Sequence, residues 1–341
     1  MLFMFQINRI IFINIILLTA FLINGCQHSS KLEATSETER IHILPFEKEL
    51  FGINQQIIAP QLDSLSKKYG SFYDIYFSQI MQFGSTKNPE IQYIIADYIK
   101  NQDFLALAHD CDSIYNDQKR IEIEQQLTEI SIEYKKLFPN DTFPEIVSFI
   151  SGFNNGIVTT DKHIGIGIDL FLGPDYRFYS SLDLPEFLLN RYSPEHLIPS
   201  FLKGLYTYKY SLIPENKTLL DNMIYEGKQL YWISHFAPNI DDSLKIGYTK
   251  QQMDWCNINE ANIYKLLVSE NLFTTDYLQF RKYVDETPFT SNLGKESAPR
   301  IGAYCGWKII DAYMKNSQSS ILDMMKENDA QKILKIAKYK P

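Results

Sequence analysis

Glu226 and His196 are the residues of this chain whose types and spacing come nearest to a catalytic metal site. In zinc peptidases of the gluzincin type, two histidines one turn apart on a helix and a glutamate on a later helix hold the ion between them. The first helix would here offer His196, but Leu197 stands at the position of the general base and Ser200 at that of the second histidine. The pattern predicts no metal ion, and Glu226 is at most a vestigial ligand position.

The same residues have ordinary structural explanations. We predict that Glu226 is a buried or edge carboxylate paired with a base such as Lys228, and that His196 lies on the surface of a helix. His235 would lie near a helix C-terminus, where the helix dipole favours a positive charge. The sequence contains no HExxH, GxSxG or GxxxxGK[ST] motif, so it predicts neither a catalytic residue nor a cofactor.

The first 25 residues have the composition of a bacterial secretory signal. One positive charge, Arg9, precedes an apolar run that ends at Ile23, and Asn24-Gly25-Cys26 follows. The run is shorter than the roughly 20 residues that a helix needs to span a bilayer. A cysteine directly after Gly25 is typical of a lipobox, although Asn24 is not the small residue usual there. We therefore expect Cys26 to be lipidated and to become the mature N-terminus.

Residues 26–44 are expected to form the lipidated N-terminus and a polar tether, and residues 45–341 one folded domain. The acyl chains on Cys26 would hold the protein on a membrane, because stable anchoring takes more than one chain. Gln27 is not the aspartate that retains lipoproteins at the inner membrane, and no acidic run follows the cysteine. These features favour a location of the protein on the periplasmic side of the outer membrane.

The composition limits the classes of function. The chain has 341 residues, of which 45% are hydrophobic, which is enough for a sizeable core. A net charge of −8 argues against nucleic acid as a partner, since phosphate backbones require clustered basic residues. Cys111, Cys256 and Cys305 are isolated from one another. One disulfide among them is conceivable in an oxidising compartment, but three buried free thiols are the favoured state.

The periodicity of the apolar residues predicts an α+β fold that is mostly helical. A helix is expected to start at Asn88-Pro89-Glu90, and a charged helix to cover about residues 113–137. Two β-rich runs, Ile146–Ile150 and Gly165–Leu172, would form a small sheet with Asn154-Asn155-Gly156 as the turn between them.

Further helix signals lie in the C-terminal part. Thr249 opens a capping box from which one long helix would run toward Phe273. Another helix would start at Pro299, in which Gly302 and Gly306 would allow a neighbouring backbone to approach closely. Asn328-Asp329 would cap the last helix.

Several collinear runs make this chain resemble the gliding-motility lipoprotein GldB of Bacteroidetes. The runs are Phe171–Tyr179, Leu219–Tyr231, Ser243–Thr249, Trp255-Cys256, Asn259-Glu260, Pro288–Thr290, Pro299–Gly302, Gly306–Ile310, Asp329–Leu334 and Lys338–Pro341. The resemblance implies an accessory lipoprotein that is needed for gliding over surfaces and is tied to the type IX secretion machinery. It also implies a degenerate zincin-like domain. Cys26 is the one residue of this chain to which the resemblance assigns a functional role, that of the lipidated cysteine.

Three functions follow from these features. The leading hypothesis is a membrane-anchored, non-enzymatic component that acts through contacts with proteins of the gliding and type IX secretion machinery. The second is a divergent zinc-metallopeptidase-like hydrolase of the periplasm that uses Glu226. The third is a carbohydrate-binding or peptidoglycan-binding module with a groove lined by Tyr206, Tyr208 and Tyr210, although tyrosines at this density more often pack half-buried with the hydroxyl in water.

Overall fold

A computed structural model describes residues 40–182, 185–210 and 217–341 of the chain. Its strands are Ile43–Pro45 (β1), Glu145–Phe149 (β2), Ile157–Thr159 (β3) and His163–Gly167 (β4). Its α-helices are Phe46–Phe51 (α1), Ile58–Tyr69 (α2), Ser71–Ile75 (α3), Ile91–Tyr98 (α4), Gln102–Ile114 (α5), Asp117–Leu137 (α6), Leu197–Lys209 (α7), Leu219–Phe236 (α8), Asp242–Ile246 (α9), Lys250–Ile258 (α10), Glu260–Ser269 (α11), Tyr277–Val284 (α12), Ile301–Ser317 (α13), Ile321–Lys326 (α14) and Ala330–Ala337 (α15). Short 3₁₀ turns and one π-turn complete it. The predicted α+β class, mostly helical with a small sheet, is confirmed.

The sheet has the strand order β1-β2-β4-β3. Strand β2 pairs in parallel with both β1 and β4, and β3 runs antiparallel to β4 at the edge. Because parallel strands are normally covered on both faces, their sequences are apolar throughout rather than alternating. The run Ile146–Ile150 fits this rule, since every residue in it is buried.

Two apolar cores lie on opposite faces of the sheet. Val147 and Phe149 point into a cluster rich in aromatic side chains from the helices α1 to α4. Ile146 and Ile150 belong to the larger core, which is built by the later helices. Since neighbouring side chains of a strand point to opposite faces, one five-residue strand contributes to both cores.

Helices α8 and α13 cross with their backbones in contact at two glycines. A methyl group added to Gly306 would lie 1.8 Å from the carbonyl oxygen of Met223, and one added to Gly227 would lie 2.3 Å from the carbonyl oxygen of Gly306. Neither distance is sterically possible. The predicted close approach at Gly306 is confirmed, and Gly227 is the partner that makes it possible.

Helix starts are encoded by local side chains. Thr218, Thr249 and Ser320 each accept a hydrogen bond from the backbone three residues later and complete a capping box, and Asp329 caps α15. The capping predictions at Thr249 and Asp329 are confirmed. Helix α6 also matches the predicted charged helix, with its start at Asp117 after the capping residue Asn116.

Three helix boundaries were predicted wrongly, and one of them is the start of α13, which lies at Ile301 rather than Pro299. The other two have a local cause. The side chain of Asn88 accepts a hydrogen bond from the backbone N–H of Glu90 (3.0 Å), so Asn88-Pro89-Glu90 forms a turn and α4 begins at Ile91. The helix expected from Thr249 to Phe273 breaks at Asn259, whose side-chain amide donates to the carbonyl of Trp255 (2.9 Å). In both places a short polar side chain competes for backbone groups that a continuous helix would use.

The sheet prediction was right about the strands and wrong about their pairing. The turn at Asn154-Asn155-Gly156 leads into β3, whereas β2 and β4 are parallel neighbours. The second run also stops being a strand at Gly167, and Ile168–Leu170 form a 3₁₀ turn. Asp169 within that turn accepts hydrogen bonds from the backbone of Ser151 and Phe153, which holds the chain in this path.

The predicted signal peptide, Cys26 and the tether as far as residue 39 lie outside the described residues. From Ile41 onward the chain is attached to the fold, because the backbone N–H of Ile41 donates to Thr128 Oγ1 (3.0 Å).

Candidate functional site

A cavity of about 490 Å³ is lined by residues from β3, α7, α8, α9 and the segment that leads into α13. This volume lies within the range of small-molecule sites. Its apolar lining includes Ile157, Phe171, Leu230, Ile233 and Ile246, and its charged lining consists of Arg191, Lys203, Lys245, Glu286 and Arg300. The cavity therefore combines an apolar wall with a group of mostly positive side chains.

Arg300 is at the centre of the charged group. Its side chain is 7% exposed and binds Glu226 (2.7 Å) and Glu286 (3.3 Å). Burial alone would lower the pKa of Arg300, but the two carboxylates raise it above its ordinary value. Arg300 also has a left-handed backbone (φ 46°), which is unusual for a side chain of this size. The tight ion pairs offset part of the cost of that conformation.

Arg191 binds the same carboxylate from the other side. Its guanidinium lies 2.7 Å from Glu286 and donates to the carbonyl oxygen of Gly247 (2.9 Å). Gly247 has φ 78°, and a methyl group on it would lie 2.8 Å from Arg191 Nε, so a side chain there would push the arginine away. Burial alone would raise the pKa of Glu286, but Arg300 and Arg191 lower it below the ordinary value.

Lys203 and Gln229 line the same cavity, and neither side chain has a hydrogen-bond or ion-pair partner in the part of the chain that the structure describes. The Lys203 side chain is exposed on the cavity wall, and the protein around its ammonium group lowers the pKa of that group. Within the described residues it forms no ion pair. Gln229 is 2% exposed, and its amide makes no hydrogen bond to any residue in the described ranges. Buried amides are normally hydrogen-bonded, so an unpartnered one in a cavity wall marks a place for a polar ligand.

The charges around the cavity do not cancel. The cations are Arg191, Lys203, Lys245 and Arg300, and the carboxylates bound to them are Glu226, Asp242 and Glu286. Burial lowers the pKa of His196, the other basic residue of the wall, so it is neutral near pH 7. Four cations against three carboxylates leave one positive charge, in a protein whose net charge is −8.

The structure places the predicted site residues close to this cavity, but not as predicted. His196 and Ser200 line it. His196 is 7% exposed, so the prediction of a surface histidine was wrong: it is the buried residue of the 3₁₀ turn that leads into α7, and Ser193 Oγ lies 3.0 Å from His196 Nδ1. Glu226 is paired with a base, as predicted, but the base is Arg300.

Lys228 is not the partner of Glu226, because it lies on another side of α8. Its ammonium group donates to the carbonyl oxygens of Glu327 (2.5 Å) and Met325 (3.3 Å) at the end of α14. His235 lies in the last turn of α8, as predicted, and its ring is 3.3 Å from Glu133.

The tyrosines of the hypothetical binding groove are packing residues. Tyr206 is 3% exposed, and its ring contacts those of Tyr210, Tyr225 and Trp232. Tyr208 donates to the carbonyl oxygen of Asp161 (3.2 Å). The packing of these rings is confirmed, but the Tyr225 hydroxyl is buried with no hydrogen-bond partner among the described residues rather than in water. Cys111, Cys256 and Cys305 are likewise buried free thiols, as favoured from the sequence.

Sequence reasoning missed the residues that define the cavity. Arg191, Glu286 and Arg300 come from three separate segments, and no spacing rule brings them together. Lys203 lies in the helix that was examined for zinc ligands, but a single lysine there resembles any surface residue. Within the described ranges no group of three or more His, Cys, Asp or Glu side chains is placed to hold a metal ion. No helix in the same ranges has the length and apolar content to cross a bilayer.

Comparison with known families identifies the chain. The family described as "Gliding motility protein GldB" has a model that matches residues 27–341. The match covers nearly the whole chain, so the protein belongs to this family of gliding-motility lipoproteins. No curated protein and no solved structure matches the chain.

Proposed function

We propose that this protein is anchored by lipid on Cys26 to the periplasmic side of the outer membrane, and that it supports gliding motility and type IX secretion through contacts with proteins of that machinery. The family match over residues 27–341 supports the motility role, and the lipobox-like Asn24-Gly25-Cys26 supports the anchor. In this proposal residues 1–25 are a signal peptide, residues 26–44 the lipidated tether and residues 45–341 a single domain.

The surface offers a place for such a contact. Of the ten large apolar side chains that are exposed in the described part of the chain, four lie between Val268 and Leu278, where α11 ends and α12 begins. Leu278 is 75% exposed and Phe273 is 51% exposed. Single exposed apolar residues are common, but a concentration in one short segment is typical of surfaces that meet another protein.

This contact can be tested by adding charge to that segment. The double variant Phe273→Asp and Leu278→Asp should reduce co-purification of envelope proteins after crosslinking in cells, because a buried charge opposes an apolar contact. Tyr93→Asp is the matched control, since Tyr93 is 67% exposed on α4. Unchanged co-purification with the double variant at normal abundance would refute a contact through this segment.

The anchor can be tested separately. Wild-type protein should incorporate labelled palmitate and sediment with outer-membrane vesicles, and Cys26→Ala should do neither. Cleavage by added protease only after the outer membrane has been permeabilised would support the periplasmic side. Cleavage on intact cells would place the domain on the cell surface instead.

The hydrolase alternative depends on Glu226 as a metal ligand. A degenerate zincin-like origin would bring His196, Ser200 and Glu226 to one site, and two of them do line the cavity while the third binds Arg300 in its wall. The bond to Arg300 favours a structural carboxylate over a metal ligand. Purified protein should therefore contain no stoichiometric zinc, and chelators should not change its thermal unfolding. Stoichiometric zinc that is lost in Glu226→Gln would favour the hydrolase.

A further inference from the structure

We propose that the cavity beside α7 binds a ligand with one carboxylate and an apolar body, and that Lys203 pairs with the carboxylate. This binding goes beyond the anchoring and contact role, and it would hold whether or not the protein acts in motility. Lys203 is the cation left over when the ion pairs of the described residues around the cavity are counted.

The charge of the ligand follows from which groups are already occupied. Arg300 is held by Glu226 and Glu286, and Arg191 by Glu286 and the carbonyl of Gly247. A phosphate dianion is best bound by several free donors, with arginine forks foremost among them. Among the described residues, one ammonium group of the cavity is free, and one positive charge remains to be balanced. A monoanion such as a carboxylate fits that requirement.

The polar contact beside the charge comes from Gln229. Glu226 and Gln229 lie one turn apart on α8, and Lys203 on α7 feels the charge of Glu226, so the three residues share one region of the wall. An amide that is 2% exposed and unpartnered among the described residues leaves a donor and an acceptor for a ligand. An amide or hydroxyl next to the ligand's carboxylate would satisfy it.

The rest of the cavity selects the body of the ligand. The apolar part of the lining consists of Ile157, Leu170, Phe171, Leu230, Ile233 and Ile246. Burying the apolar part of a ligand against these side chains is favourable because it removes apolar surface from water. Two sources share this chemistry: a small aliphatic acid, and the free C-terminus of a peptide that ends in an apolar residue.

The test compares acids with their uncharged amides on the full-length protein in a non-ionic detergent. Hexanoate against hexanamide probes the small acid, and N-acetyl-alanyl-leucine against its C-terminal amide probes the peptide terminus, both by titration calorimetry. At least one acid should bind about tenfold or more tightly than its amide, the effect expected of a hydrogen bond to a charged group. The pair that shows the larger difference identifies the source.

Variants assign the effect to the cavity. Lys203→Gln should abolish the preference for the acid without changing thermal unfolding, because the ammonium group makes no ion pair within the described residues. Lys265→Gln, at an exposed lysine on α11, should leave the preference intact. Equal binding of acid and amide, no binding of either acid at millimolar concentration, or an unchanged preference in Lys203→Gln would each overturn the proposal. Tighter binding of inorganic phosphate than of both acids would also overturn it.

Discussion

Glu226 and Arg300 lie 74 positions apart in the chain and meet at 2.7 Å. Arg300 is almost fully buried, so each carboxylate beside it is needed to offset the loss of water around its charge. Glu226→Ala would leave Glu286 as the one remaining carboxylate partner, and we expect it to lower the free energy of unfolding by about 2 kcal/mol, the size of a hydrogen bond to a charged group. Glu226→Gln keeps the acceptor and should cost less. Urea denaturation of both variants checks this order; equal losses would mean that the side-chain oxygen contributes nothing.

Asp169 should make stability depend on pH. It is completely buried, and burial raises the pKa of its carboxyl group from 3.8 to about 6, although hydrogen bonds from the backbone of Phe153 and Ser151 oppose part of the rise. The folded state then binds more protons than the unfolded state between about pH 4 and pH 6. The contribution of Asp169 to stability is therefore fully present below that window and is lost as the pH rises through it.

The measurement is the free energy of unfolding at pH 4 and at pH 7 for wild type and for Asp169→Asn. Wild type should lose more stability between the two pH values than the asparagine variant, whose side chain does not titrate. Parallel pH profiles would show that the carboxyl of Asp169 has an ordinary pKa in the folded state.

The three free cysteines should be unreactive in the folded protein. All are buried, and burial raises the pKa of Cys256 to about 12, so almost no thiolate forms near pH 7. A thiol reagent should therefore label Cys111, Cys256 and Cys305 only after denaturation, with three thiols per chain. A single reactive thiol per denatured chain would instead indicate a disulfide.

At the scale of elements, the crossing of α8 and α13 is the contact with the least room for an added side-chain atom. Alanine is a better helix former than glycine by about 1 kcal/mol, so Gly→Ala in a helix stabilises it wherever there is room. At Gly306 the new methyl group would meet the backbone at Met223, and the two helices would have to separate. We expect Gly306→Ala to destabilise the protein by about 3 kcal/mol.

Gly302 provides a graded control in the same helix. A methyl group there would lie 3.0 Å from the carbonyl oxygen of Tyr283 and 3.2 Å from a side-chain atom of Val284, a tight contact that small shifts can relieve. The midpoint temperatures of thermal unfolding of wild type and of Gly302→Ala should both be well above that of Gly306→Ala. Stabilisation by Gly306→Ala would show that the helices are not in backbone contact.

Local signals were predictable from the sequence at this scale, and long-range pairing was not. Capping residues such as Thr249 and Asp329 act within one turn, so their residue types specify the helix starts directly. The parallel neighbours β2 and β4 are brought together by the packing of both sheet faces, which the intervening turn at Asn154 does not encode. The partner of Glu226 was missed for the same reason, since Lys228 is close in sequence and Arg300 is close only in the folded chain.

At the scale of the whole molecule, the proposed function gives a lipidated N-terminus and the folded domain separate tasks. A domain attached by a polar tether searches only the volume near its membrane, so its effective concentration at a membrane-bound partner is high. Without the acyl chains the same domain would diffuse through the periplasm. Contacts that hold the tethered protein on its partner would then be too weak to keep the free domain bound. The fold of residues 45–341 would be unchanged.

The most direct test of this role is complementation of a deletion strain with wild type, Cys26→Ala or Glu226→Gln at matched protein levels. Colony spreading and secretion of type IX substrates are the measured traits. We predict that Glu226→Gln restores both traits and that Cys26→Ala restores neither. Full function of Cys26→Ala, or loss of function in a folded and abundant Glu226→Gln protein, would contradict an anchored component that acts through contacts.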